Sequence, residues 1–356
     1  MRKESLDFLR ELVDMPSPSG YEERAAALYR FYLESVADRF HTDLLGNTWA
    51  ALNPDAPLKV MLAGHIDEIG FIVNHISEEG LVHFKTIGDY DVVIPAGQRV
   101  WIHSKERVPG VIGRKAIHIL EDEKEQDKAP DLHGLWIDLG VDSRSEAEAL
   151  VELGDPATIQ SEFQMLQNGR AIARGFDNKV GAYIVAEALR LLKDELDPGV
   201  GVYAVATVQE EVGFRGAYAA AFAIGAQVGL AVDVSHATDH PGMDEARYGR
   251  VRIGKGPTIT RGPYINPHVF RTLREAAVED SIPFQIEVAG QCTGTDATAM
   301  QTNRDGMATG LIGIPLRYMH TPCELLSLED VQNAARLIAA FCRRLTAETD
   351  FTPRAG

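Results

Sequence analysis

Hydrophobic and polar residues follow two different periodicities in the N-terminal part of the chain. Apolar residues recur at helical spacing in residues 6–13, which predicts an amphipathic helix. Ser19 followed by Glu22 is typical of a capping box and predicts the start of a second helix. Residues 58–63 and 200–208 are almost continuously apolar. Short runs of this kind are typical of strands that are buried on both faces.

The second half of the chain alternates between strand and helix patterns. A helix that we expect to begin near Arg215 precedes a predicted strand at 228–234, and a helix from Pro267 precedes predicted strands at 284–288 and 309–314. This alternation predicts an α/β fold with a mostly parallel central sheet and helices on both of its faces. In such folds ligands bind beyond the carboxyl ends of the strands.

Residues 71–163 have a different pattern, with short segments rich in β-branched residues between Gly and Pro turns. These segments are 81–86, 99–103 and 108–112. We therefore predict that residues 71–163 form a small, barrel-like β domain inserted into another fold. The remaining residues, 1–70 and 164–356, would form one discontinuous catalytic domain.

Length, composition and charge narrow the class of protein. A chain of 356 residues is longer than one ordinary core and predicts about two domains. The 52 acidic and 35 basic residues give a net charge of −17, which argues against a nucleic-acid partner. No apolar run is long enough to span a membrane. Acidic residues near the start argue against a signal peptide. Three cysteines are few and odd in number, which suits the reducing cytoplasm. The charged run at 121–128 predicts a solvated loop.

Imidazole and carboxylate side chains collect at the predicted strand ends. They are His65 and Asp67 after 58–63, Glu210 and Glu211 after 200–208, Asp233 in 228–234, His320 after 309–314, and Asp177 before a helix. Carboxylates at close range repel one another unless a proton or a cation neutralises them. Histidine and carboxylate ligands without thiolates suit Zn²⁺, Co²⁺ or Mn²⁺, and the number of ligands exceeds what one tetrahedral ion needs. The pattern predicts a centre with two divalent metal ions.

Spacing suggests a role for each residue of two pairs within this set. His65 and Asp67 are two residues apart in an extended segment and share a face, so Asp67 can orient the imidazole. Glu210 and Glu211 are adjacent and would point in opposite directions from an extended chain. One of them can then bind metal while the other acts as a general base. We assign Glu211 as the ligand and Glu210 as the base, although the spacing also allows the reverse.

Each of these signals has an ordinary interpretation when taken alone. A single His-x-Asp pair or Glu-Glu pair is usually a surface feature, and only the shared position at strand ends favours metal. Cys323 lies three residues after His320 and could be a nucleophile. The simpler interpretation is that Cys323 packs near the site as a small hydrophobic side chain. His236 and His240 are alternative ligands near Asp233. Motifs of serine hydrolases, zincins and P-loop proteins are absent from the sequence.

Five ordered blocks of sequence carry a resemblance to a known family. They are AGHIDEIG at 63–70, GFDNK at 175–179, QEEVGFRGA at 209–217, DVSH at 233–236 and YMHTP at 318–322. Together they resemble the glutamyl/deblocking aminopeptidases, two-metal exopeptidases that form hollow tetrahedral particles. Some members of that family carry the label endoglucanase, which nothing in this sequence supports.

The resemblance implies a role for each candidate residue. It implies that His65, Asp177 and Asp233 hold one metal ion and that Asp177, Glu211 and His320 hold the other. It also implies that Asp67 orients His65 and that Glu210 is the general base. Zinc is the expected metal, with cobalt or manganese as alternatives. The family's inserted β domain, here residues 71–163, would mediate dimerisation, and the dimers would assemble into a tetrahedral dodecamer. Cys323 departs from the family pattern, in which this position usually lacks a thiol.

We therefore expect a cytoplasmic metalloprotease that hydrolyses the N-terminal residue of peptides. A related dinuclear carboxypeptidase or deacylase shares the same ligands and stays open as an alternative, as does a non-catalytic metal-stabilised assembly protein. The first-residue specificity also stays open. Arg215, Arg261 and Arg317 lie near the motif blocks and could favour acidic residues, but a preference for aliphatic residues is as plausible.

Overall fold

The computed structural model describes residues 1–119 and 131–354, so the predicted solvated loop at 121–128 lies outside the described residues. The helices of the described part are α1 (Lys3–Asp14), α2 (Glu23–Leu33), α3 (Arg144–Glu148), α4 (Phe176–Leu192), α5 (Arg215–Ile224), α6 (Glu245–Tyr248), α7 (Pro267–Glu279), α8 (Asp296–Gln301) and α9 (Leu328–Cys342). None of them is long and apolar enough to span a bilayer.

The strands of the same residues form two sheets and a barrel. They are β1 (Arg39–Thr42), β2 (Thr48–Leu52), β3 (Leu58–His65), β4 (Gly70–Ile76), β5 (Val82–Ile87), β6 (Arg99–His103), β7 (Arg107–Gly113), β8 (Trp136–Asp138), β9 (Pro156–Ile159), β10 (Gln164–Met165), β11 (Arg170–Ala173), β12 (Val200–Thr207), β13 (Val228–His236), β14 (Thr258–Arg261), β15 (Gln285–Val288), β16 (Ala308–Leu316) and β17 (Glu324–Ser327).

The large sheet has eight strands in the order β1-β2-β12-β3-β13-β16-β14-β15. Its four central strands, β12, β3, β13 and β16, run parallel to one another. Antiparallel pairs flank them on both sides, β2 with β12 and β14 with β16. The predicted α/β class with a parallel centre is therefore confirmed.

Side chains of β3 explain why helices cover both faces of this sheet. Val60 and Leu62 point into a core that they share with α1, α2, α4, α7 and α9. Met61 and Ala63 point to the opposite face and pack with α5 and α8. Because successive side chains of a strand alternate between faces, a run of apolar residues must be covered twice.

Six strands between residues 70 and 159 close into an antiparallel barrel in the order β4-β5-β8-β7-β6-β9. The barrel has its own apolar core, to which Phe71, Val100 and Ile137 belong. This confirms that a barrel-like β unit is inserted into the α/β fold. The exact domain boundaries at residues 71 and 163 stay a prediction.

Two contacts position the chain segments that carry the candidate site residues. A three-stranded sheet, β10-β11-β17, pairs Ala173 with Glu324 and so brings the start of α4 beside β17. At the end of β3, a Cβ atom on Gly64 would lie 2.3 Å from the backbone carbon of Gly181 in α4. Only glycine permits this close approach of strand and helix.

The predicted capping box before α2 is wrong. Glu22 is the N-cap residue, and it makes no capping hydrogen bond with its side chain. The Ser19 hydroxyl donates instead to Asp67 at 2.6 Å, and Glu22 Oε1 accepts the N–H groups of Gly20 and Gln209. Both side chains are held by long-range partners that the local motif cannot reveal.

Candidate metal centre

The carboxyl ends of the four parallel strands open into a cavity of about 500 Å³. Six of the seven predicted site residues line it, namely His65, Asp177, Glu210, Glu211, Asp233 and His320. Asp233 lies within β13 rather than at its end, because the strand continues to His236. A larger cavity of about 630 Å³ lies at the opposite edge of the sheet, and no described histidine or cysteine lines it.

Asp177 lies between the two histidines and offers one carboxylate oxygen to each. Its Oδ1 is 3.3 Å from His65 Nε2, and its Oδ2 is 3.3 Å from His320 Nε2. Two ligand atoms that each lie about 2.0–2.1 Å from a tetrahedral zinc ion are about 3.3 Å apart. The separations therefore fit an arrangement in which Asp177 bridges two metal ions.

Both imidazoles present Nε2 to the cavity because Nδ1 is held by a backbone carbonyl group. His65 Nδ1 lies 3.1 Å from the carbonyl oxygen of Asp67, and His320 Nδ1 lies 2.8 Å from that of Asp89. A hydrogen bond of this kind places the proton on Nδ1 and leaves the lone pair on Nε2 for a metal. Asp89 belongs to the segment between β5 and β6, so the barrel contributes to the cavity.

Glu210 and Glu211 both face the cavity, although they are adjacent in sequence. The extended backbone expected here ends at Gln209, which adopts a left-handed conformation with φ of 55°. Glu210 Oε2 lies 3.7 Å from His65 Nε2, whereas Glu211 Oε1 lies 3.5 Å from His320 Nε2. The Glu210 carboxylate is therefore near His65, and the Glu211 carboxylate is near His320.

Candidate ligand atoms cluster in two groups, in each of which they all lie within 4.8 Å of one another. One group is His65, Glu210 and Asp233, and the other is His65, Asp177 and Glu211. The donors are imidazole nitrogen and carboxylate oxygen, which is the set that Zn²⁺, Co²⁺ and Mn²⁺ accept. The residues therefore fit the expected ions.

Asp67 is fully buried behind the cavity and organises the turn that carries both glutamates. Its Oδ1 accepts the N–H of Glu210 at 3.0 Å, and its Oδ2 accepts that of Glu211 at 3.2 Å. The Asp67 carboxylate also lies 3.4 Å from His65 Nδ1. It therefore links the histidine to the glutamate pair, which is a wider role than orienting one ring.

Glu324 is a buried residue of the site that the sequence analysis missed. Its Oε2 accepts the backbone N–H of Asp177 at 2.9 Å, and its Oε1 accepts that of His320 at 3.0 Å. His320 adopts a left-handed conformation with φ of 58°, which costs energy for a residue other than glycine. The available signal was a glutamate at the start of the apolar segment 324–327, since a buried acid needs partners.

Asp296 is a second residue that the sequence analysis missed. It lies at the start of α8 and is buried, and its Oδ2 accepts the Thr207 hydroxyl at 2.5 Å. Its Oδ1 has no hydrogen-bond partner in the described part of the chain. Burial raises the pKa of Asp296 to about 6. Burial and nearby acids both disfavour the charged form of such a carboxyl group.

Burial and mutual repulsion raise the pKa values of acids around the cavity more than His65 lowers them. Burial raises the pKa of Glu210 and of Asp233, and neighbouring carboxylates raise both further. Burial alone would lower the pKa of His65, but Glu210, Asp177 and Asp67 outweigh it and raise that pKa well above its usual value. Carboxylates that repel one another in this way can be neutralised by protons or by divalent cations.

A family model described as M42 glutamyl aminopeptidase matches residues 46–337. The chain belongs to this family. It is 36% identical over 354 residues to the lysyl aminopeptidase of Pyrococcus furiosus, covering 98% of this chain and 99% of that protein.

Solved structures of TET peptidases share the whole fold. The TET aminopeptidase of a marine sediment Thaumarchaeota archaeon matches with a TM-score of 0.92 at 35% identity, over 98% of each chain. The TET1 peptidase of Pyrococcus horikoshii, which can assemble into a tetrahedron or a large octahedral shell, matches with a TM-score of 0.84 at 29% identity. That match covers 96% of this chain and all of the other.

Other residues considered for the chemistry of this M42 protein lie outside the ligand clusters. Cys323 is exposed and is not among the residues that line the cavity. His236 lines the cavity but belongs to neither ligand cluster, and His240 Nδ1 lies 3.0 Å from the carbonyl oxygen of Pro241. The structure therefore offers no support for a cysteine nucleophile.

Proposed function

We propose that this chain is a metal-dependent aminopeptidase that removes the N-terminal residue of peptides. Membership of the M42 family supports aminopeptidase activity. The observation that carries the proposal of two metals is the position of Asp177, with one oxygen at 3.3 Å from each of two imidazoles. A carboxylate between two histidines is suited to bridge a pair of metal ions.

The proposed ligand sets are those that the family resemblance implies, and the contacts of Asp177 with both histidines support them. His65, Asp177 and Asp233 would hold one ion, and Asp177, Glu211 and His320 would hold the other. Zinc suits this set of ligands, and cobalt or manganese are alternatives. When bound, such ions polarise the scissile carbonyl group and lower the pKa of the attacking water.

Glu210 is the proposed general base, and then the general acid. Its carboxylate is buried beside His65, within the cavity where a water and a scissile bond would meet. It would accept a proton from the attacking water and donate it to the leaving amine. Asp67 would support this role because it holds the backbone N–H of Glu210.

Glu210→Gln and Glu211→Gln separate the base from the ligand. We expect E210Q to retain two metal ions per chain, because Glu210 is outside the proposed set of ligands, and to lose at least about 10²-fold in kcat. We expect E211Q to lose metal as well as activity. Metal content by mass spectrometry and turnover of an aminoacyl p-nitroanilide measure both. If E210Q loses metal while E211Q keeps it, the two roles are reversed.

The oligomeric state proposed for this chain is a tetrahedral dodecamer built from dimers, with residues 71–163 as the assembly domain. Two observations support assembly through the barrel. The described part of this segment exposes large apolar side chains, those of Val93, Val111, Ile119, Leu150 and Leu153. Exposed apolar groups on an otherwise folded unit often mark a protein interface. The TET1 relative assembles into closed shells.

A further inference from the structure

We infer that the cavity selects peptides with a basic first residue, lysine or arginine, and that Glu287 binds the cationic end of its side chain. This inference rests on the proposed aminopeptidase function. It adds a substrate class and a specificity-determining residue to that function. Neither was predicted from the sequence.

Glu287 lies on β15, lines the cavity and is held in place by two hydroxyl groups. Its Oε2 accepts hydrogen bonds from Ser235 Oγ at 2.5 Å and from Thr258 Oγ1 at 2.9 Å. Its Oε1 accepts no hydrogen bond from the described residues, and the side chain is only half-buried. One oxygen is therefore fixed by the protein, and the other is available to a ligand.

Ser235, which donates a hydrogen bond to Glu287, is close along β13 to a candidate metal ligand. Ser235 follows the candidate ligand Asp233 by two residues on the same strand, so the two side chains share a face about 6.6 Å apart. A lysine carries its ammonium group at the end of a four-carbon stem of comparable length. Phe214, Leu311 and Met319 also line the cavity and offer apolar contacts to such a stem.

The charges around the cavity favour a cation over an anion. Two divalent ions would offset the four carboxylates of the proposed centre, which leaves Asp89 and Glu287 as surplus acids of the lining. No lysine or arginine is found among the described residues that line the cavity. An acidic first residue would therefore meet repulsion and no ion-pair partner.

The three arginines considered from the sequence are engaged elsewhere. Arg215 Nε donates to the carbonyl oxygen of Val212 at 3.1 Å. Arg317 Nε donates to the Asp239 carboxylate at 2.9 Å, and the Arg261 guanidinium lies over the Phe270 ring. None of these arginines lines the cavity, so the expectation of an acidic preference has no residue to support it.

Lysyl and norleucyl p-nitroanilides test this inference on the metal-loaded enzyme, because norleucine has the lysine stem without its ammonium group. We expect kcat/KM to be at least about 10-fold higher for the lysyl substrate, on the scale of a hydrogen bond between charged groups. Glu287→Gln keeps an oxygen for Ser235 and Thr258 but removes the charge. It should lower the lysyl-to-norleucyl ratio at least about 10-fold. Glu275→Gln, at an exposed position of α7 that does not line the cavity, is the matched control and should keep the ratio.

Three other outcomes would contradict the basic selectivity, the role of Glu287 or the proposed function. Hydrolysis of the norleucyl substrate without a lysyl preference contradicts basic selectivity and leaves the proposed aminopeptidase function intact. Loss of the preference in Asp89→Asn but not in E287Q contradicts the choice of Glu287. Failure of the loaded enzyme to hydrolyse any unblocked aminoacyl substrate, glutamyl and leucyl included, contradicts the proposed function itself.

Discussion

Glu324 connects two candidate ligands that are 143 residues apart in sequence. It accepts the backbone N–H groups of both Asp177 and His320, and it is buried. Its position follows from the pairing of β17 with β11, which places Glu324 opposite Ala173. A residue in such a place fixes the separation of two ligands without itself binding metal.

Glu324→Gln tests this positioning role. The amide has one acceptor oxygen, so one of the two backbone N–H groups loses its partner. We expect metal affinity to fall about 10- to 100-fold, the usual scale for partners that orient ligands. Titration of the apo protein with Zn²⁺ against a competing chelator measures it. Glu329→Gln, at an exposed position nearby, is the control, and equal affinities in E324Q and E329Q would contradict the role.

Six of the seven candidate site residues line one cavity, and most of their positions could be predicted from the sequence because local patterns reveal strand ends. His65 and the Glu210–Glu211 pair follow recognisable apolar strands, and parallel strands place their carboxyl ends together. Glu324 and Asp296 could not be predicted in the same way. Their importance depends on contacts made across the fold, and sequence spacing carries no record of those contacts.

At the scale of elements, a buried ion cluster joins the segments that carry the site. Glu68, next to Asp67, pairs with Arg174 at 2.6 Å and with Lys179 at 2.8 Å. The Lys179 ammonium also donates to the carbonyl oxygen of Met15 after α1. Burial alone would raise the pKa of Glu68, but Arg174 and Lys179 outweigh it and lower that pKa to about 2.

The stability of this cluster depends on pH. Because the folded pKa of Glu68 is lower than the unfolded value, the unfolded state binds more protons between pH 2 and 4.5, and stability is lost as the pH falls through this range. We expect metal-free Glu68→Gln to be less stable than the parent by about 3 kcal/mol at pH 5. That gap should narrow by about 2 kcal/mol at pH 3.

Urea denaturation of the two metal-free proteins at both pH values measures the gap. Groups that do not interact with Glu68 titrate equally in parent and variant, so the change in the gap reports on Glu68 and on its electrostatic neighbours such as His103. A gap that stays constant between pH 5 and pH 3 would show that Glu68 is not held ionised by its two cations.

Element types were more predictable than element ends. The buried strands β3, β12 and β13 and the helices α5 and α7 lie where apolar periodicity placed them. The predicted start of α2 failed because Ser19 and Glu22 bind partners around the site rather than the helix end. The left-handed turn at Gln209 was also unpredicted, since its conformation depends on the contacts that Glu22 and Asp67 make.

In the whole molecule, the barrel is inserted into the α/β domain and lies at the edge of the candidate metal centre. The carbonyl oxygen of Asp89, between β5 and β6, lies 2.8 Å from His320 Nδ1. The insertion was predictable because its strand pattern differs from the alternating pattern around it. The contact was not, because it depends on how the barrel packs on the sheet.

The proposed assembly makes a prediction about particle size. If the barrels join chains into a tetrahedral dodecamer, light scattering should give a particle of twelve chain masses, with dimers as the dissociation product. Burial of the exposed apolar side chains of the barrel is the expected driving force. A single-chain mass at micromolar concentration would contradict the proposal.

We propose that two metal ions and Glu210 act together to remove the N-terminal residue of a peptide. The most direct test compares the rates at which the metal-loaded enzyme hydrolyses free, N-acetylated and C-amidated forms of Lys-Leu and Leu-Leu. We expect hydrolysis of the free and amidated forms, a loss of at least about 10²-fold on acetylation, and no turnover after chelation, restored by Zn²⁺ or Co²⁺. Preference for the acetylated form, or dependence on a free carboxylate, would instead indicate a deacylase or a carboxypeptidase. Activity that survives complete removal of metal would contradict the account.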